Sequence, residues 1–497
     1  MPQLRGSQSS SRADEFVENV HDRGFSRIFG IETEYGVSVT ENDKAIEAGQ
    51  VAMMMFQPVV TRSRSTNTYL GNGARLYLDV GSHPEYATAE SRTPMGALAQ
   101  DLAGERIMGR LAADAQQRLR EHYGDGTRIH LFKNNTDSSG HSFGCHENYL
   151  LRRFVSLRTV ERELIPFLVT RQLFSGAGMM GPDGFEMSQR ARFLDDAVSS
   201  ATTRSRPMVN TRDEPHADPD HYRRLHVIVG DSNRSQLATW MKLATTHLVL
   251  SVIEESVSLG ERSPFDSCML ADPGQAIRQV SGDITGKAPI RLSADVPVRE
   301  RSCALEIQRS YLHAVQSFVA RHTSSIDAIL PDAAQVLELW ENALDSIDRG
   351  RWQELSSWVD WAAKLNLFER MRARNNGGSP QLEARIRQID LEYHDIVNGV
   401  TYPSLMSHGA LRSLLGEDAI REAVSNPPGD TRAALRGAFV DAALRKDVLW
   451  ACDWTHVSLA SGNRLEAELL DPFNPEPTEE YLRVMAAVSE PKPSQNW

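Results

Sequence analysis

The chain has 497 residues, 40% of them hydrophobic and 24% charged, which is enough for a large core and two to three domain-sized units and excludes a small chain held by staples. Its net charge of −12 sets up a field that repels nucleic acid and anionic membrane, and no stretch approaches the roughly 20 apolar residues of a membrane span. Four cysteines, Cys145, Cys268, Cys303 and Cys452, lack CxxC pairing, which disfavours a disulfide framework and a zinc site and points to a reducing, cytoplasmic compartment.

Taken in chain order, residues 1–23 are polar, lack the apolar segment of a secretory signal and read as a disordered leader. RIFGIETEYGVSVT (27–40) and RLYLDV (75–80) alternate as strands do, and a helical period of three to four follows over 95–121. RIHLFK (128–133), CHENYLL (145–151) and LHVIVG (225–230) are further strands. Residues 195–224 have neither period and are predicted as a long ordered loop. Helices are predicted over 234–258, 304–321, 333–347 and 381–395. Strands gathered early and helices late give an α+β class with an antiparallel or mixed sheet that has one polar face. The turn-rich stretches 398–409 and 425–432 put a boundary near 415, dividing a large domain at 24–415 from a small C-terminal unit with a flexible tail at 416–497.

Side chains two apart on a strand share a face, so IETEYG projects Glu32 and Glu34 together, with Ile31, Thr33 and Tyr35 opposite. On RLYLDV the same rule groups Arg75, Tyr77 and Asp79, and the loop that follows adds His83, Glu85 and Glu90. Half-buried carboxylates repel, and a hard cation relieves them; magnesium best suits oxygen ligands. The competing reading makes Glu32 and Glu34 the solvated face of an edge strand with Arg75 as a cross-strand partner. Other candidates are weaker. His146, Glu147 and Asn148 sit in what reads as a polar hairpin, His226 reads as a satisfied core histidine, and Trp454 as a packing residue. Arg204, Arg206, Arg212, Arg223 and Arg224 form either a phosphate-binding group or surface arginines paired with Asp213, Glu214 and Asp218. Neither a P-loop, a Rossmann glycine pattern nor a G-x-S-x-G elbow occurs, so a nucleotide here must be held by a sheet face.

The strings RIFGIETEYG, NGARLYLDVGSHPEYATAE, FKNNTDSSGHSFGCHENYL, PFLVTRQLFSGAG, SSATTRSRPMVNTRDEPHAD and YRRLHVIVGDSN resemble the Pup ligases of actinobacteria, over about residues 27 to 460. The resemblance implies a glutamine synthetase-like fold, in which a curved antiparallel sheet cradles ATP and Mg2+ and a small C-terminal domain follows. It implies that ATP phosphorylates the side-chain carboxylate of the C-terminal glutamate of Pup, a small disordered modifier, and that a lysine of a target protein then attacks, marking the target for the proteasome. Carried onto this chain, it makes Glu32, Tyr77 and Glu85 metal ligands, Arg75, Thr88 and Trp454 ATP contacts and Asp79 the general base, with Glu34, Arg204 and Arg206 nearby. The chain departs from the family at DDAVSS (195–200) and at GMMGPDGFEMSQ (178–189). Three rivals remain: a depupylase or deamidase of the same fold, a small-molecule glutamate–amine ligase, and a silent scaffold. The short stretch 41–74 between the two acidic strands and the wording DVGSHPEYATAE oppose the first.

Overall fold

The computed structural model describes residues 24–40, 46–79, 83–137, 140–200, 206–296, 299–375, 378–459 and 465–489. The leader at 1–23, Val80, Arg204 and the last eight residues of the tail lie outside the described residues.

Eight strands make one sheet: β1 (Phe29–Glu34), β2 (Asn67–Tyr69), β3 (Arg75–Leu78), β4 (Pro84–Ala87), β5 (Cys145–Arg152), β6 (Asp196–Ser199), β7 (Pro207–Asn210) and β8 (Tyr222–Val227). They lie side by side as β6, β7, β8, β5, β1, β4, β3, β2. Every neighbouring pair is antiparallel except β6 with β7, so the sheet is mixed rather than wholly antiparallel. Both of those strands fall in 195–224, predicted as loop. They are four residues each, Pro207–Asn210 is buried along its whole length, and neither feature leaves an alternating pattern to read.

The apolar positions of β1, β5 and β8, among them Ile31, Tyr149, Leu151, Leu225 and Val227, face one large core. Two helices cover that face, α2 (Pro94–Tyr123) and α3 (Gln236–Leu259). Thr93 caps α2 by accepting from Gly96 N at 3.0 Å, and Pro94 sits where its missing N–H costs nothing. Gly104 lets α2 close on the sheet, since a Cβ there would stand 2.4 Å from the Tyr86 ring. The helix α1 (Ala48–Ser63) packs with the antiparallel strand pair of Gly36–Thr40 and Arg128–Phe132 in a second core. The helices expected at 304–321, 333–347 and 381–395 are present as α4 (Ala304–Arg321), α5 (Ala333–Asp348) and α6 (Pro380–Glu392).

Beyond α7 (Glu417–Ser425), the chain forms α8 (Ala433–Lys446), the strands β9 (Trp450–Cys452), β10 (His456–Leu459) and β11 (Leu465–Glu468), and α9 (Glu479–Ser489). Phe439, Val440, Val457, Ala467, Tyr481 and Val488 give this part its own core, which takes in Tyr69 from the edge strand of the large sheet. Gly437 allows α8 to lie on the turn before β3, where a Cβ would be 2.2 Å from the Gly71 carbonyl. No helix among the described residues is long and apolar enough to cross a membrane.

Candidate active site

Register decides which side chains meet. Glu32 lies opposite His146 on β5 and Ala87 on β4, and Glu34 lies opposite Glu85. Glu85 in turn faces Tyr77, Ala87 faces Arg75, and His226 on β8 faces Asn148. Cross-strand partners share a face, so the alternation seen in IETEYG and RLYL places Glu32, Glu34, Arg75, Tyr77 and Glu85 together on the side away from the helices. The strands supply a greasy face and a reactive one, and the reactive one is open.

That face floors a cleft of about 730 Å³, lined by Glu32, Glu34, Arg75, Tyr77, Asp79 and Glu85 and walled by Arg206, Arg212 and Arg224. A more apolar compartment continues from it, bounded by Ile28–Ile31, Ala87, Thr88, Leu150 and Pro472. Glu32, His216, Arg224 and Trp454 line both and mark the junction. All seven residues expected from resemblance to hold metal and nucleotide or to act as base thus border one continuous space. Thr88 is buried at the apolar end, where its Oγ1 accepts from Ile31 N at 3.0 Å.

Glu32 is held by a dense set of donors: Arg224 Nη2 at 2.5 Å and Asn148 Nδ2 at 3.1 Å, with His146 Nδ1 3.5 Å and His226 Nε2 3.7 Å away. Burial works against its charge, but Arg224 and the two histidines outweigh it and hold the carboxyl well below the usual range. Glu85 is moved the other way. Burial, then Glu32 and Glu34, push its carboxyl well above its ordinary value, and the Tyr77 hydroxyl donates to it. Burial and then the charge of Glu85 raise the Tyr77 phenol, so it stays protonated. His226 is pushed down to about 3 by burial, with His146 and Arg224 adding to the effect, and its Nε2 is buried without a hydrogen-bond partner.

Two sets of ligating atoms lie within 4.8 Å of one another, Glu32 with His146 and His226, and Glu34 with Asp79 and Glu85. A neutral imidazole nitrogen with nothing to bind, and a carboxyl forced toward its protonated form by two others, are both relieved by a divalent cation, so the donor set fits one. Asp79 is exposed at the rim, its backbone N–H donating to His83 O at 3.0 Å. Arg75 stacks over the Tyr77 ring at 4.4 Å and donates Nε to Asn67 Oδ1 at 2.9 Å.

Trp454 reaches this cleft from the C-terminal part. Its ring meets Tyr69 edge-on at 5.2 Å, the Arg436 guanidinium lies 4.8 Å above it, and His216, at a left-handed φ of 47°, tilts against it at 6.3 Å. The packing role expected of tryptophan and the cleft-lining role are both met.

Two acidic residues lie off the carboxylate floor, Glu90 at the wall of the apolar compartment and Glu147 in the core. Glu90, grouped in sequence with Glu85, is buried between Arg432 Nε at 2.8 Å and Arg436, which also bonds the carbonyls of Gly73 and Trp454. Glu147 points into the core on the opposite parity from His146, paired with Arg171 at 2.5 Å and Tyr149 at 2.6 Å. His226, read as a core histidine, belongs to the cleft instead. The register opposite Asn148 carried that signal, but only once the pairing of β8 with β5 was known. The arginine segment divides: Arg206, Arg212 and Arg224 wall the cleft, while Asp213 pairs with Arg153 and Asp218 with His221.

Comparison with known proteins identifies the family. A sequence model of the family described as Pup-ligase protein matches residues 27–458. The Pup--protein ligase of Bifidobacterium longum subsp. infantis is 56% identical over 98% of this chain and all of its own length, and that of Bifidobacterium adolescentis 54% identical at the same coverage. Among solved structures, the complex between Pup and its ligase PafA superposes with a TM-score of 0.84 at 36% identity, covering 94% of this chain and 92% of that one. PafA in complex with ADP gives 0.76 at 36% identity, over 90% and 96%. With sequence and overall fold in agreement, the chain belongs to the Pup-ligase family.

Proposed function

We propose that this chain uses ATP to activate the side-chain carboxylate of the C-terminal glutamate of Pup and joins it through an isopeptide bond to lysines of target proteins, marking them for the proteasome. The observation that carries the reading is the single open sheet face on which an apolar compartment runs directly into a cleft with carboxylates on its floor and guanidinium groups on its wall. A carboxylate is a poor electrophile; transfer of a phosphoryl group makes it an acyl phosphate with a good leaving group.

In this reading the apolar compartment takes the base, with Trp454 and Thr88 at its border and Gly30 leaving room above β1. The phosphates then extend over Glu32 toward Glu34, flanked by Arg75 and Arg224, whose fixed guanidinium groups balance their charge without reorganisation. Glu32, Tyr77 and Glu85, with His146 and His226 alongside, would hold magnesium, which would supply neutralisation of phosphate charge. Asp79, at the rim where a target lysine enters, takes the proton of the ammonium so that a neutral amine attacks the acyl phosphate. Phosphate leaves as the isopeptide bond forms. Four cysteines without a disulfide, and the proteasome as destination, support a cytoplasmic setting.

Incubation of the chain with ATP, magnesium, a Pup ending in glutamate and a lysine-bearing protein is expected to give conjugates with release of ADP and phosphate. AMP and pyrophosphate as products would overturn the acyl-phosphate route, and cleavage of preformed conjugates without ligation would favour the depupylase. Trp454→Ala is expected to raise the KM for ATP about 10-fold or more, the loss of one stacked base contact of about 1–3 kcal/mol, while the KM for Pup stays put. An unchanged KM for ATP would confine Trp454 to packing.

A further inference from the structure

The wall of the cleft carries a cationic group to which the reading above gives no role. At the end of the face beyond Glu34, whose N–H donates to Gly144 O, the segment Ser142–Phe143 is gripped by two arginines. Arg190 is 2% exposed and donates Nη1 to Phe143 O at 2.7 Å and to Ser142 Oγ at 3.3 Å, while its Nε is buried without a partner. Arg206, just ahead of β7, donates Nη1 to Ser142 O at 2.8 Å. Both line the cleft, and among the described residues no ion pair joins either guanidinium to a carboxylate, although the charges of Glu34 and Asp231 act on Arg190 from farther off. Carbonyl oxygens anchor these guanidinium groups but do not neutralise them. A buried cation whose counter-charges stand only at a distance is costly, and a site that tolerates one is prepared for an anion from outside the chain.

Position selects the anion. Gly30, at the apolar end, and Glu34 are four residues apart on β1, about 13 Å at ~3.3 Å per residue, so the nucleotide's phosphates extend along this stretch and the two arginines lie past its far end. A C-terminal glutamate brings two carboxylates. The side-chain one must meet the nucleotide, and the main-chain one stays ionised next to Glu34, Asp79 and Glu85, which repel it unless a cation answers it. The planar fork of arginine matches a carboxylate with two parallel hydrogen bonds.

We infer that Arg190 and Arg206 form the subsite that binds the main-chain carboxylate of the modifier's C-terminal residue, and thereby point its side-chain carboxylate at the nucleotide. This rests on the ligase reading above. It predicts a preference for a chain terminus over an internal glutamate, which has no second carboxylate to offer.

The test is a cycle between enzyme and substrate. Full-length wild type, Arg190→Gln and Arg206→Gln are assayed with Pup ending in free glutamate and with Pup whose terminal main-chain carboxylate is a carboxamide, the side-chain carboxylate being intact. In the wild type the amide is expected to raise the KM for Pup about 30-fold, the worth of a charge-assisted pair. Each variant is expected to raise the KM for the free acid by a similar factor, to leave the KM for the amide within about twofold, and to leave the KM for ATP unchanged. General damage to the fold moves both substrates together; if the buried Arg190 proves indispensable for folding, the half-buried Arg206 carries the cycle. Equal KM values for acid and amide in a wild type that conjugates both would overturn the inference and leave the ligase reading standing. A rise in the KM for ATP in place of that for Pup would reassign the pair to phosphate and also overturn it. A wild type that conjugates neither substrate removes the ligase reading and the inference with it.

Discussion

Asp79→Asn is expected to abolish conjugation in practice, slowing it about 10²- to 10⁴-fold while ATP still binds. The substitution keeps the shape of the side chain at the rim and leaves Glu32, Tyr77 and Glu85 in place. It removes only the group able to accept a proton there. A lysine amine is protonated at neutral pH, so without an acceptor the attacking species is scarce, and the acyl phosphate is lost to water instead. ATP turnover should therefore continue at a low rate, uncoupled from conjugation. Because Asp79 also lies within 4.8 Å of the carboxylates of Glu34 and Glu85, the alternative is that it holds metal; in that case the KM for ATP rises with the fall in rate. Normal conjugation by the variant ends the assignment in either form.

Glu90→Gln is expected to be the most destabilising single change near the site, by about 3–5 kcal/mol, because it leaves the buried Arg432 and Arg436 guanidinium groups at the wall of the apolar compartment without their shared counter-charge. The same residue gives a pH signature. Burial alone raises its carboxyl, but Arg436 and Arg432 outweigh this and bring it to about 2, against an ordinary value of about 4.5. A depressed carboxylate stabilises the folded chain at pH above its unfolded value and loses that contribution as pH falls. Urea midpoints should thus drop between about pH 4.5 and pH 2 in the wild type, and the part due to Glu90 should be missing from the variant. Arg436 lies over Trp454, so the variant should also bind nucleotide more weakly. A variant as stable as the wild type at pH 7 would show that the interior relaxes or admits water around the two arginines.

The polar face of the sheet was legible in the sequence because period-2 alternation is a local property: IETEYG and RLYL each announce their own parity within six residues. Which strands neighbour each other is not local, and the errors follow from that. Glu90 looked like a member of the acidic loop because its two partners stand more than 340 residues later in the chain. Glu147 lies between His146 and Asn148, and only the pairing of β5 with β1 says which of the three faces the cleft. The helix α1 has no counterpart in the sequence reading; it contains Pro58, has no side-chain cap at Glu47 and carries no acidic residue in its first turn, so the usual boundary signals are missing. The metal, nucleotide and base roles came from resemblance to the Pup ligases, and the structure adds that six of those seven positions line the cleft and Thr88 the apolar compartment adjoining it.

The apolar compartment is closed by Ile28–Glu32 on one side and by Trp454 and Pro472 on the other, segments separated by more than 400 positions. On the ribosome, a growing chain holds the sheet strands long before the last wall exists. In the reading proposed above, in which this compartment takes the base, nucleotide binding therefore waits until synthesis has passed residue 472 and the C-terminal part has folded against the sheet.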